Sequence, residues 1–458
     1  MTPRLDPRTA RRRFTAVTFL FWLPVGLYLP SLVLLLTERG FSVAAVAGLF
    51  AVHSLTVAVL ELPTGGLSDV IGRRPVLAAA GVLNLTALVL FALGTSAWVL
   101  TSAMLLLGSG RALSSGPAEA WYVDTVQAHS GPDAELRTGL SRAGTASATA
   151  LAVGTLTGGA LPWLLGLGSD PGARLAEVTS GVVLPLSVPG LLGAAVVLVF
   201  VTYVLTRLPE PPRPPATLRD VVAGVPATVL GGLRLGASDR LVRRLLLTAC
   251  ATGGALGTIE LLMPGRTAAL TGATASGAVV FALLACGGFL CTAAGSHLAP
   301  FVARVTGGAQ RAVLAGLGAM AAGLLVLAAT AAWSGPFVPA LAAFGYGLIY
   351  LALGATGPSE NELLHGRVSG AHRATALSVQ SLALQALGAA TGLVAGALPQ
   401  GPLPWLPGAL LLAAGALLWV HRAHHHSGEL RDRDDRRDRA ESACTDTRAA
   451  TAHTGAGA

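Results

Sequence analysis

The sequence predicts an all-α polytopic membrane protein, with twelve transmembrane helices in two parallel six-helix repeats. Four observations carry that expectation. Of 458 residues, 53% are hydrophobic and only 12% are charged, against about 25% charged in an average soluble chain. The apolar residues fall in runs of about twenty, the length that crosses a hydrocarbon core. The 31 Lys+Arg are all arginine and alternate from loop to loop: 27 lie in segments on one side, only Arg39, Arg174 and Arg266 on the other, and Arg111 inside a span. Such asymmetry marks the arginine-rich side as cytoplasmic, and one missed helix would scramble it. Finally, the halves repeat. Ser115-Gly116-Pro117-Ala118-Glu119 recurs as Thr356-Gly357-Pro358-Ser359-Glu360, and Arg74-Pro75-Val76-Leu77-Ala78 with Gly81 recurs as Arg311-Ala312-Val313-Leu314-Ala315 with Gly318, at offsets of 241 and 237. Parallel repeats produce this pattern.

Taken in order, the first span follows Arg11-Arg12-Arg13 and runs from Phe14 to about Leu36. It is too long for a signal-peptide core and no small-residue cleavage site follows, so it reads as an uncleaved helix. Further spans are expected at 43–64, 75–94, 97–121, 143–166 and 181–206, completing a first half over 1–206. A central cytoplasmic loop occupies 207–242. It opens with the stiff run Pro209-Glu210-Pro211-Pro212-Arg213-Pro214-Pro215 and holds a weakly amphipathic piece near 217–235. Six more spans, at 243–264, 275–301, 311–333, 336–357, 374–398 and 403–421, make a second half over 243–421. The tail, 422–458, is rich in Arg, Asp, Thr and Ala and is expected to be disordered. Its His424-His425-His426, near His421, reads as low-complexity chain rather than a metal site. Both termini are expected in the cytoplasm.

Composition also excludes chemistry. Without lysine there is no Walker A loop, no Schiff-base nucleophile and no kinase strand Lys. The chain is therefore expected to be no enzyme and to draw on no bound ATP. Cys250, Cys286, Cys291 and Cys444 form neither a disulfide framework nor a zinc spacing. No cofactor, metal or nucleic-acid partner is implied, and His53 and His297 are isolated within their spans. The Arg-only bias points to a GC-rich bacterial genome.

Between spans two and three the chain reads Glu61-Leu62-Pro63-Thr64-Gly65-Gly66-Leu67-Ser68-Asp69-Val70-Ile71-Gly72-Arg73-Arg74. This resembles the signature loop of the major facilitator superfamily, roughly G-x-L-A-D-R-x-G-R-R, at Gly65, Leu67, Asp69, Gly72, Arg73 and Arg74. Val70 departs from it, since a basic residue is usual after the Asp. The physical logic stands by itself: small residues suit a tight turn where helices approach, and a carboxylate at the start of span three complements the helix dipole. The resemblance implies the major facilitator fold. It also implies a charge cluster closing the cytoplasmic side, made from Asp69, an Arg of the loop and an acid at the end of span four; Arg73 and Asp124 are the residues available. Arg73 and Arg74 as topology anchors alone is the competing reading. The cognate second-half loop, Val302 to Arg311, keeps Arg304 and Arg311 but has Thr306 near the Asp position, so the gate is expected to be asymmetric.

An ionisable residue within a span costs about 2.5–3.5 kcal/mol on insertion scales, so those that persist need a partner or a task. They are Arg111 with Glu119, Glu61, Glu260, and Glu360 with Glu362. In an ideal helix Arg111 and Glu119 lie about 80° and about 12 Å apart, sharing a face without touching; Pro117 is expected to kink it. The resemblance implies that helices one, four, seven and ten line a central cavity, which would hold Arg111, Glu119, Glu260 and Glu360. Arg111 resembles the span-four motif Arg of proton-coupled members. A carboxyl in a low-dielectric cavity is favoured in its neutral form, so Glu119 or Glu260 is the expected proton carrier, against structural pairing as the alternative. Glu360 and Glu362 have Arg367 or Arg373 as candidate partners. Gly154-Thr155-Leu156-Thr157-Gly158-Gly159 resembles the family's antiporter motif, with Thr155 in place of proline; Gly154, Gly158 and Gly159 also permit close helix packing. Phe21, Trp22, Tyr28, Tyr346 and Tyr350 would suit a hydrophobic or cationic solute, or serve as interfacial anchors.

The expected function is therefore drug-efflux-like: a proton-coupled exporter of a small organic molecule, drug or metabolite, conferring antibiotic resistance from a bacterial plasma membrane. Proton-coupled uptake by symport is the alternative. The partners are substrate, protons and lipid bilayer, with the protein acting as a monomer.

Overall fold

The computed structural model describes residues 5–65, 67–131, 133–167, 170–210, 239–367 and 370–420. The amphipathic piece near 217–235, most of the central loop, and the tail with its histidines and Cys444 lie outside the described residues.

Among the described residues twelve hydrophobic segments appear where apolar runs demand them. The first, α1 (Pro7–Glu38), starts on the Asp6 side chain, which accepts from the Thr9 N–H, and tightens into a 3-10 turn at Leu29–Ser31 around Pro30. Next come α2 (Val43–Gly65), the short helix Leu67–Ile71 and α3 (Arg73–Leu93). The fourth segment is broken into α4a (Ala97–Ser114) and α4b (Pro117–Ser130). Then follow α5 (Arg137–Leu165), α6 (Val188–Arg207), α7 (Arg240–Thr271), α8 (Thr274–Thr306), α9 (Ala309–Ala332), α10 (Val338–His365), α11 (Gly370–Ala397) and α12 (Leu403–Val420). Among the described residues eleven helices are long and apolar enough to cross a membrane by themselves; the fourth segment is the exception, because it is split. Gly116 has φ 96° and Pro117 takes the first position of α4b, a handedness glycine tolerates and a position where proline loses no hydrogen bond. The repeat partner of that break does not break: α10 runs straight through Gly357-Pro358.

Each half packs on its own core. Phe14, Leu77, Trp121, Phe200 and Val204 belong to the first, and Val242, Met263, Met320, Ile349, Trp405 and Trp419 to the second. Glycines set how closely the helices cross. A Cβ on Gly154 would lie 2.6 Å from the Leu23 carbonyl oxygen and 3.0 Å from Gly26 Cα, so α1 and α5 touch backbone to backbone. A Cβ on Gly158 would strike Leu27. The second half does the same where Gly253 and Gly257 of α7 meet α11 at Leu384 and Gly388.

The halves meet along two seams, α2 against α11 and α5 against α8. At the arginine-poor end both are shut. A third apolar cluster there takes Leu34, Leu36, Val46 and Leu186 from the first half and Leu261, Ala278 and Ala395 from the second. Thr274 Oγ1 donates to Glu38 Oε2 at 3.0 Å, and a Cβ on Gly159 would press on Ala278 and Ala282. At the arginine-rich end Arg142 and Thr145 of α5 and His297 and Phe301 of α8 are exposed, and among the described residues no bond joins the two helices beyond that of Cys286 Sγ to the Ala152 carbonyl. The α5/α8 seam is thus closed at the arginine-poor end and open at the arginine-rich one, while α2 and α11 stay bonded to each other.

Two of the three exceptional arginines have a structural task at the closed end. The guanidinium of Arg39 donates to the carbonyls of Phe91, Ala92, Gly94 and Val182 and to Ser187 Oγ at 2.5–3.2 Å. It caps the C-terminus of α3, where carbonyls lack intrahelical donors and the dipole favours a cation. Burial pushes its pKa down from the ordinary arginine value, and the adjacent Glu38 carboxylate opposes that. Arg266 occupies the equivalent place in the second half, donating to the Thr330 carbonyl near the end of α9.

Candidate functional site

The signature loop lies at the arginine-rich end. Gly65 closes α2 and Gly72, at φ 115°, precedes α3. Asp69 lies on the short helix Leu67–Ile71; its side chain is outside the described residues. Arg73 sits 3.3 Å from Asp124 and donates to Ser68 Oγ at 2.7 Å. Arg74 donates to the Leu205 carbonyl at the end of α6, tying α3 to α6. Glu210 joins this cluster from the linker, as no local pattern in the sequence indicates. Its carboxylate accepts from the Arg73 and Arg74 N–H groups at 2.8 and 3.0 Å, capping α3. Trp121 Nε1 fixes the same segment by donating to the Pro209 carbonyl at 2.8 Å.

Above the loop is a cavity of about 430 Å³ in the first half. Phe14, Phe21 and Trp22 of α1, Phe200 of α6 and Ser147 of α5 line it, together with both sides of the α4 break. That break brings Arg111 and Glu119 to one space, both exposed. Arg111 lies over the Trp22 ring at 5.4 Å, a cation–π contact. Neither the Arg111 guanidinium nor the Glu119 carboxylate has a hydrogen-bond or ion-pair partner among the described residues.

Nearer the closed end, Glu260 of α7 opens onto a narrow space of about 70 Å³ between the halves, lined also by Ser54 of α2 and Gln385 of α11. Tyr28 of α1 lies within electrostatic reach of both Arg111 and Glu260, and Tyr346 and Tyr350 of α10 within reach of Glu260. The two tyrosine rings are 4.7 Å apart. Glu260, too, has no hydrogen-bond or ion-pair partner among the described residues. A carboxylate left unpaired in an apolar bundle is costly, and that cost is removed on taking up a proton.

The remaining intramembrane acids differ from one another. Glu61 accepts from Ser381 Oγ at 2.9 Å, a bond across the α2/α11 seam that has no signal in the sequence, since 320 residues separate the pair. Glu360 is half-buried and Glu362 exposed, and neither pairs with Arg367. That arginine reaches Asp239 at 3.2 Å instead, because the loop after α10 folds onto the start of α7. The Arg373 side chain is outside the described residues. Gly154 and Gly158 lie in the α1/α5 crossing, and Gly159 in the α5/α8 seam.

A sequence profile described as Major Facilitator Superfamily matches residues 14–393. No curated protein is similar to the chain by sequence. Among solved structures, a mutant of the nucleoside transporter NupG superposes with TM-score 0.70 at 13% identity, covering 90% of this chain and 99% of that one. A structure titled for substrate recognition in proton dependent oligopeptide transporters gives TM-score 0.62 at 15% identity, covering 90% and 97%. A bacterial homologue of the human drug peptide transporters gives 0.63 at 14%, covering 91% and 97%. At these identities the likeness is one of fold.

Proposed function

The chain belongs to the major facilitator superfamily and is a multi-pass membrane protein, and from that premise we propose that it is a proton-coupled exporter of a small organic molecule. The observation that carries this reading is Glu260, an unpaired carboxylate opening onto the space between the halves. Substrate binds from the open, arginine-rich end, which we place in the cytoplasm on the positive-inside rule, in a bacterial plasma membrane. Protonation of Glu260, with Glu119 as the second candidate, removes a charge from the space between the halves and so shifts the balance between their two arrangements. Alternating access then follows as the closed α5/α8 seam opens and its other end shuts. Arg73, Asp124 and Asp69 form the gate at the cytoplasmic end, with Glu210 fixing the start of α3 beside them. We assign the boundary between halves to the 207–242 loop and treat the protein as a monomer whose export activity confers drug resistance.

Uptake by symport is the second reading, favoured by one specific observation: a fold neighbour is described as a proton dependent oligopeptide transporter. Proteoliposomes with an imposed pH gradient and a panel of organic solutes separate the two. Solute moving against the proton flow supports export by antiport; solute moving with it supports symport. Solute flux indifferent to the gradient, across a panel of transported solutes, refutes proton coupling altogether.

A further inference from the structure

The cavity beside the α4 break carries two opposite charges that have no partner among the described residues. Arg111 presents a guanidinium with five N–H donors, exposed and without an acceptor among the described residues. Glu119 presents an exposed carboxylate without a donor. Among the described residues none of the lining hydroxyls bonds either charged group: Thr18, Ser114 and Ser147 donate to the Phe14, Arg111 and Gly144 carbonyls, at 2.9, 2.8 and 2.9 Å. Between the charges the wall is aromatic, with Phe14, Phe21 and Phe200, and the space, about 430 Å³, is that of a drug-sized ligand.

Those features discriminate among ligand charges. A purely cationic aromatic would meet Glu119, but the Trp22 face that would attract it is already covered by Arg111 at 5.4 Å, which repels it. A purely anionic one would find the planar fork of Arg111, suited to two parallel bonds with a carboxylate, yet sit against Glu119. A neutral one leaves both charges bare. Resting on the transport reading above, we propose that the substrate is an amphoteric aromatic molecule, its carboxylate on Arg111 and its ammonium on Glu119. The aromatic lining considered by residue type alone points to a hydrophobic or cationic solute; the position of Arg111 over Trp22 is what changes that expectation.

The test uses the full chain in detergent and three compounds that share one body: 5-benzyloxytryptophan, which is zwitterionic, its methyl ester, a cation, and its N-acetyl derivative, an anion. Calorimetric binding is expected to be at least tenfold tighter for the parent than for either derivative. Arg111→Gln is expected to weaken the parent and the N-acetyl form at least tenfold and spare the ester; Glu119→Gln gives the converse. Arg111→Lys, which keeps the charge and loses the fork, recovers part of the affinity, separating a ligand contact from a folding defect. The proposal is overturned if the ester binds as tightly as the parent, if Arg111→Gln leaves all three unchanged, or if none of the three binds saturably. Binding is read without a gradient, so a failure here leaves proton-coupled export standing, and a failure of coupling leaves this result standing.

Discussion

Replacing Arg39 by Ala removes the cap that closes α3 at the shut end of the molecule. Its two terminal nitrogens supply four N–H groups to four carbonyls and one hydroxyl at 2.5–3.2 Å. At about 1.5 kcal/mol for each charge-assisted bond the gross loss is about 6 kcal/mol. Arg39 is only half-buried, so water replaces roughly half of that, and the expected destabilisation is about 3 kcal/mol. Arg39→Lys keeps the charge but not the fork and falls between. Arg174, exposed on the same side, is the control, and Arg174→Ala is expected to change stability by less than about 0.5 kcal/mol. Thermal unfolding of the purified protein in detergent measures all three. If Arg39→Ala melts with Arg174→Ala, the cap contributes nothing and the structural reason given for an arginine on this side is wrong.

Other substitutions probe the packing and the gate. Gly154→Ala puts a methyl 2.6 Å from the Leu23 carbonyl; α1 and α5 must separate, at about 1–3 kcal/mol for overpacking, and an unchanged melting temperature would contradict the crossing. Asp124→Asn removes the charge opposite Arg73. Asp124 is 39% exposed, so screening keeps the stability change below about 1 kcal/mol, while the transport rate is expected to fall several-fold; normal transport would remove Asp124 from the gate. Glu210→Ala leaves two N–H groups at the start of α3 without their acceptor and is expected to cost about 1 kcal/mol, read from the same melting curves.

The sequence makes much of this legible because the bilayer imposes one-dimensional rules. Apolar runs mark the helices, and the arginines sort the loops without knowledge of any contact. The Gly116-Pro117 pair marks a disturbance in the fourth span, and the structure turns the expected kink into a full break. Its repeat, Gly357-Pro358, carries the same local signal and stays helical, so tertiary context decides between them. What escapes the sequence is pairing at long range. Glu210 caps α3 from 137 residues away, Ser381 meets Glu61 across the seam, and Arg39 and Arg266 cap helices they do not adjoin. The same holds for absences. Arg367 lies close enough in sequence to pair with Glu362, but only the fold shows that it turns to Asp239 instead.

Glu260→Gln isolates the coupling role of this carboxylate, because the amide keeps the shape of the side chain and cannot take up a proton. In proteoliposomes with internal and external pH set independently, gradient-driven solute accumulation is expected to be lost while solute exchange at equal pH persists. Accumulation that still follows the pH gradient in Glu260→Gln, with an unaltered pH dependence, would show that the unpaired carboxylate between the halves is not the coupling group.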